Sequence, residues 1–459
     1  MEKENQLVKN LASLNCQVLA DFIASLYGED DFLDSRIERL VLSSDSDALA
    51  KLLKKEIASL KRSKSYIDYY ESSGFAHEIN EISMGIENDV LPVLPDQAFK
   101  LVDGLLNTAG HSLERCDDSD GYIGDVYRKI CLLWLKAASL SSAPRSGWVQ
   151  TVRKLADNND YGVLDLLLPN ADILLSEDEL SQLAAYYEEG LRTSLEKKEK
   201  DEFGTNHWSV NLHGIAEALK DPEMYQRCTL LVSPSPNYLQ IADMVGFFMR
   251  CEEYVLAIKW LENEWKNTGW DKPNAQRLSL LEECYLALNQ HEKRRETLIL
   301  LLDISPTYHN LQKTLPLVSA GEAQQLRVNF IASVLKQSDI YEKLSPLLQL
   351  EEYALAESVA LAEFETLQAC SYTTLLSLLK ISPDDLSLVR IILLRCLLGD
   401  ILHRAKTQAY HHAADYLKEL DQLDKRVTSY KALPNHADYM LKVKEKHGRK
   451  YSFWSKYNT

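Results

Sequence analysis

The stretch LSEDELSQLAAYYEEGLRTSL, residues 175–195, carries the most legible structural signal in the chain. Its apolar positions Leu180, Leu183, Ala184, Tyr187, Leu191 and Leu195 recur at three- and four-residue spacing, which lines one face of an α-helix. Ser176 and Glu179 stand in the S-x-x-E relation of a capping box, where each side chain satisfies a backbone N–H that a helix start leaves unpaired. A second stripe, Leu49, Leu52, Leu53, Ile57 and Leu60, repeats the period, and strand-like alternation is hard to find elsewhere. The expected fold class is all-α.

The second half adds punctuation. Pro236, Pro273, Pro306, Pro346 and Pro383 recur at intervals of 37, 33, 40 and 37 residues, and four of the five follow serine. Ile304-Ser305-Pro306, Leu344-Ser345-Pro346 and Ile381-Ser382-Pro383 each read as a helix start, with Ser as the cap and Pro in the first turn. EEYVLA at 252–257 and EEYALA at 351–356 place Tyr254 and Tyr353 in like positions. Such periods belong to stacked helix pairs, so the expectation is a degenerate, tetratricopeptide-like solenoid of antiparallel helix pairs. The segments expected are an N-terminal helical region with acidic turns (1–200), a connecting segment (201–237), the repeats (238–400), and C-terminal helices with a basic-aromatic tail (401–459).

Composition narrows the function classes. Apolar residues make up 46% and charged residues 26%, as in folded soluble proteins, and 68 acidic against 51 basic side chains give a net charge of −17. That charge disfavours nucleic acid and anionic membrane as partners of the whole chain. Cysteines at 16, 116, 131, 228, 251, 284, 370 and 396 form no CxC or CxxC pair, so free thiols in a reducing compartment are expected. The N-terminal stretch has no unbroken apolar run suited to a signal or a membrane span, which points to the cytoplasm.

Two regions stand out as candidate sites. In ERCDDSDGYIGDVYRK, 114–129, four aspartates and two glycines crowd together; Asp117, Asp120 and Asp125 fall 40 residues before Asp157, Asp160 and Asp165. An EF-hand loop with Gly121 at its sixth position lacks the first acid and the closing Glu, so helix capping is the favoured role. Together the two turns are expected to form an acidic edge that selects a basic partner. The tail KVKEKHGRKYSFWSKY interleaves six basic side chains with Tyr451, Phe453 and Trp454. It is expected to dock on the body of the protein, with Arg449, Lys450, Phe453 and Trp454 as partner contacts in the alternative.

Chemistry is otherwise sparse. HEINE, 77–81, has Glu where a zincin needs its second histidine, and no nucleophile elbow, Walker loop or dinucleotide fingerprint is present. His411 and Asp415, one helical turn apart, are metal ligands together with His436 or His447 only in the alternative reading, a metal-dependent enzyme; a nucleic-acid adaptor acting through the tail is the third. The favoured function is a non-catalytic scaffold that holds a protein partner, with no cofactor.

YIDYYESSGFAHEI (66–79), DDSDGYIGDVY (117–127), DYGVLDLL (160–167), AYHHAADYLKEL (409–420) and HADYMLKVKEKHGRKYSFW (436–454) together resemble a bacterial family of unknown function. Its C-terminal half is similar to regions that accompany SWIM-type zinc fingers. The resemblance implies bacterial origin and helical repeats, and it carries no established activity over to this chain. The SWIM cysteine-histidine signature is absent from this chain, so no zinc finger is implied.

Overall fold

The computed structural model describes residues 9–29, 31–42, 45–159, 161–196, 202–266, 269–384 and 386–458. Among them every regular element is helical; the one extended pairing is an isolated bridge between Ile67 and Cys116. The chain forms two compact units, Met1–Glu253 and Tyr254–Thr459.

The opening stretch behaves as its spacing implies. The Ser176 amide donates to Glu179 Oε2 at 2.9 Å and the Glu179 amide to Ser176 Oγ at 3.3 Å, closing the box ahead of the helix Glu177–Glu196. Leu180, Leu183, Ala184, Tyr187 and Leu191 are buried. Leu195 is 41% exposed, and Ser194 takes the inward position at that turn. The partner helix is Glu202–Leu219, which comes close because of Gly190: a Cβ there would lie 2.3 Å from the Trp208 ring. In the helix Ser46–Arg62, Leu49, Leu53, Ile57 and Leu60 are buried, and the Asp45 carboxylate accepts the Ala48 amide as its cap. Phe99, Trp134 and Trp148 join this unit's core as a ring cluster with centroids 5.5–5.8 Å apart.

The second unit is built around the helix Ser387–His403, which buries residues on all of its faces and so has to be central. It is surrounded by Tyr353–Ala362, Phe364–Ala369, Tyr372–Ile381 and Tyr410–Asp424.

The proline triplets do not start helices. Ser305 and Ser382 stand at the C-terminal ends of His291–Ile304 and Tyr372–Ile381, and Thr307, not Ser305, caps the next helix through the Asn310 amide. Ser345 and Pro346 lie inside the helix Ile340–Gln349. Serine followed by proline is as compatible with leaving a helix as with entering one, since proline only forbids the N–H of the turn it joins.

A different signal recurs. Lys220, Glu252, Asn289, Glu351 and Ala405 all have positive φ, between 50° and 63°. Each follows a helix end, and the residue after each donates its amide five residues back: Asp221 to Ala216, Glu253 to Phe248, Gln290 to Tyr285, Glu352 to Leu347 and Lys406 to Ile401, at 2.8–3.2 Å. This is the Schellman closure, made here without glycine. In the first four cases the next helix begins at the very next residue: Pro222, Tyr254, His291 and Tyr353. The EEYVLA and EEYALA echo therefore marks one turn used twice, with Tyr254 and Tyr353 each opening a helix.

Candidate functional site

The first acidic turn is held by the aspartate the spacing argument leaves out. Asp118 accepts the Ile123 and Gly124 amides, one on each carboxylate oxygen, both at 2.9 Å, and so caps the helix Tyr122–Leu140. Gly121, at φ 75°, supplies the left-handed step that brings Asp118 over those amides. Asp117 accepts the Ser119 amide and hydroxyl, and Asp125 pairs with Arg128 at 2.5 Å. Asp120 is exposed beside Tyr69, and its hydrogen bond and charge raise the phenol pKa. The turn is tied to the YIDYY motif by the bridge at Ile67, whose carbonyl accepts the Asp117 amide at 3.0 Å.

The second turn is built differently. Asp157 is the last residue of the helix Trp148–Asp157; it accepts the Tyr187 hydroxyl at 2.9 Å and lies 3.3 Å from His207 Nε2. Asp165 accepts the Asn159 amide group at 2.7 Å in a turn that leads into the short 3-10 helix Leu168–Ile173. Asp160 lies outside the described residues. One acidic segment opens a long helix and the other closes one, so the 40-residue offset is not a structural repeat.

The C-terminal tail docks. In the helix Tyr451–Asn458, Phe453 is fully buried against Tyr410, Trp454 Nε1 donates to the His447 carbonyl at 3.0 Å, and Tyr457 donates to Asp421 at 2.7 Å. Lys450 Nζ reaches the Tyr410 hydroxyl at 3.3 Å, while Arg449 is exposed. Of the alternative metal ligands, His436 bonds Asp421 at 2.8 Å, His447 packs edge-on against His403, and the rings of His411 and His412 lie together. No group of three or more His, Cys, Asp or Glu among the described residues is arranged to hold a metal ion. His77 and Glu81 of the near-zincin stretch approach at 3.9 Å on a helix surface, and Arg36 Nε lies 3.1 Å from the same Glu81.

The cysteines are all unpaired. Burial pushes the Cys131, Cys228, Cys284 and Cys396 thiols up to about 12, which leaves them protonated and unreactive.

An open cleft of about 710 Å³ lies in the second unit, between Ile304–Gln312 and Gln337–Gln349. Both Ser-Pro pairs, 305–306 and 345–346, line it. Pro346 has no N–H, so the Glu342 carbonyl at the cleft receives no ladder bond from it. Around it stand Gln312, Gln337 and Gln349, the phenols of Tyr308 and Tyr341, and the carboxylate of Glu342; no Lys or Arg lines the cleft among the described residues. Asn310 braces one wall by donating to the Ser305 carbonyl at 2.9 Å. Sequence reading assigns the Ser-Pro spacing to helix caps and does not single out these residues, although both Ser-Pro pairs line the cleft.

A family model described as a family of unknown function, DUF6880, matches residues 3–246 and 248–456. No curated protein and no solved structure matches the chain.

Proposed function

The chain belongs to this family of unknown function, and we propose that it is a non-catalytic, tetratricopeptide-like helical-repeat scaffold that holds an extended segment of a partner protein in the 304–349 cleft. The carrying observation is the lining of that cleft: three side-chain amides and two phenols, which can donate to and accept from a peptide backbone, around one carboxylate suited to a basic side chain. Two supports stand beside it. The recurrent non-glycine turn joins successive helices in the way repeat units are joined, and repeat arrays present extended surfaces to partners. No Lys or Arg lines the cleft among the described residues, which favours protein over nucleic acid. The setting we infer is a bacterial cytoplasm; the unpaired cysteines fit a reducing compartment, and no helix among the described residues is long and apolar enough to cross a membrane.

The reading is tested by placing a photoreactive residue at Gln312 or Gln349 and irradiating in the native host. The same partner should be captured from both positions, and Glu342→Gln should reduce capture without moving the melting temperature. Absence of a common partner, or capture indifferent to Glu342→Gln, refutes it.

A further inference from the structure

Of the two arginines in the apolar central helix Ser387–His403, Arg395 is the buried one, 4% exposed. Its Nη1 donates to the Pro434 carbonyl at 2.9 Å, and its guanidinium carbon sits 4.2 Å from the Tyr439 ring centroid and 5.3 Å from that of Tyr430. The other donors, Nε and Nη2, are buried with no hydrogen-bond partner. These two point from the same edge of the planar group, the parallel fork that matches two oxygens of one anion. An unmet buried cation is costly, and burial lowers the Arg395 pKa. Asp424, whose charge acts on Arg395, is taken by the Tyr430 hydroxyl at 2.6 Å, and Asp400 is held by Arg404 and Lys406 at 2.9 and 2.8 Å.

Arg395 lines a cavity of about 220 Å³, and Lys442, Lys446, His403 and His447 line it with Arg395. No carboxylate lines it among the described residues. Its positive field is visible at His447, whose pKa is lowered by burial and by His403, Lys450 and Lys446.

We propose that this cavity binds a small phosphate-bearing molecule, held by the positive charges of Arg395, Lys442 and Lys446 that line it. A carboxylate offers two oxygens and one charge, whereas a phosphate offers three terminal oxygens and up to two charges to the arginine, lysines and histidines. Sites for drug-sized ligands span roughly 300–1,000 Å³, so the smaller volume restricts the organic part to a few carbons or one ring, which Leu398 and Val443 would face.

The test is calorimetric titration of the full chain with inorganic phosphate, phenyl phosphate and benzoate at constant ionic strength. Both phosphates should bind saturably, and benzoate should bind at least about ten-fold more weakly, the loss expected for unmet charged donors. Arg395→Met should abolish phosphate binding without lowering the melting temperature, because an apolar side chain suits the buried position. Lys442→Gln and Lys446→Gln, at exposed positions, should each weaken binding several-fold and cover the case in which Arg395→Met fails to fold. Glu342→Gln should leave phosphate binding unchanged, which separates this site from the cleft. No saturable phosphate binding, binding indifferent to Arg395 and both lysines, or benzoate equal to phenyl phosphate overturns the proposal.

Discussion

Glu282→Gln should be among the most destabilising single-atom-scale changes in the second unit. The Glu282 side chain is 1% exposed in the helix Asp271–Ala287, and its two oxygens receive Arg294 Nε and Lys313 Nζ, each at 2.8 Å, from the next two helices. Burial alone would raise its carboxyl pKa; Lys313 and Arg294 more than offset this, so it lies below the ordinary value. Removing one partner of a buried ion pair costs roughly 3–5 kcal/mol. The lower end applies here, because Lys313 is 32% exposed and can turn to water. With a urea m-value of about 2–3 kcal/mol/M, the midpoint should fall by roughly 1 M. The pH dependence gives a second reading. A carboxyl with a depressed folded pKa contributes stability that is present above its unfolded value and lost as pH falls through the folded one. The gap between wild type and Glu282→Gln should therefore be constant above about pH 5 and close in more acidic buffer. Circular dichroism of the full chain in urea, at several pH values, measures both. A midpoint within about 0.2 M of wild type at pH 7, or a gap that persists unchanged at pH 3, would refute the clamp.

Three further outcomes follow from local geometry. Asp118→Ala should cost about 1–2 kcal/mol by releasing two amides at the start of Tyr122–Leu140, whereas Asp120→Asn and Asp125→Asn should stay within about 0.5 kcal/mol in the same chemical denaturation. Gly190→Ala should lower stability by about 1–3 kcal/mol despite the better helix propensity of alanine, because the new methyl meets the Trp208 ring; a rise in melting temperature would show that the ring moves freely aside. Glu351→Gly should gain roughly 0.5 kcal/mol by relieving a left-handed residue, while Asn289→Gly should change little, since asparagine tolerates that conformation; differential scanning calorimetry distinguishes the two.

The sequence by itself determined the helices. Periodicity and capping act over three or four residues, so Ser176 with Glu179, and the stripes through Leu53 and Leu183, predict elements that the tertiary structure keeps. The tail's docking was legible for a similar reason, since Phe453 and Trp454 are too apolar to be left in water. What the tertiary structure decided involves partners far apart in the chain. Asp118 and Asp120 look alike in the sequence, and only the left-handed turn at Gly121 selects which carboxylate meets the helix amides. Pro346 looks like a helix start, yet the surrounding helices bury it and its missing N–H leaves a carbonyl ladder incomplete beside the cleft. Arg395 reads as a stray polar residue in an apolar run; its unmet fork exists because Pro434 takes one nitrogen and the Tyr430 and Tyr439 rings flank the guanidinium. Local rules specify which segments coil, and burial, which depends on every neighbour at once, decides which polar atoms are left with something to bind.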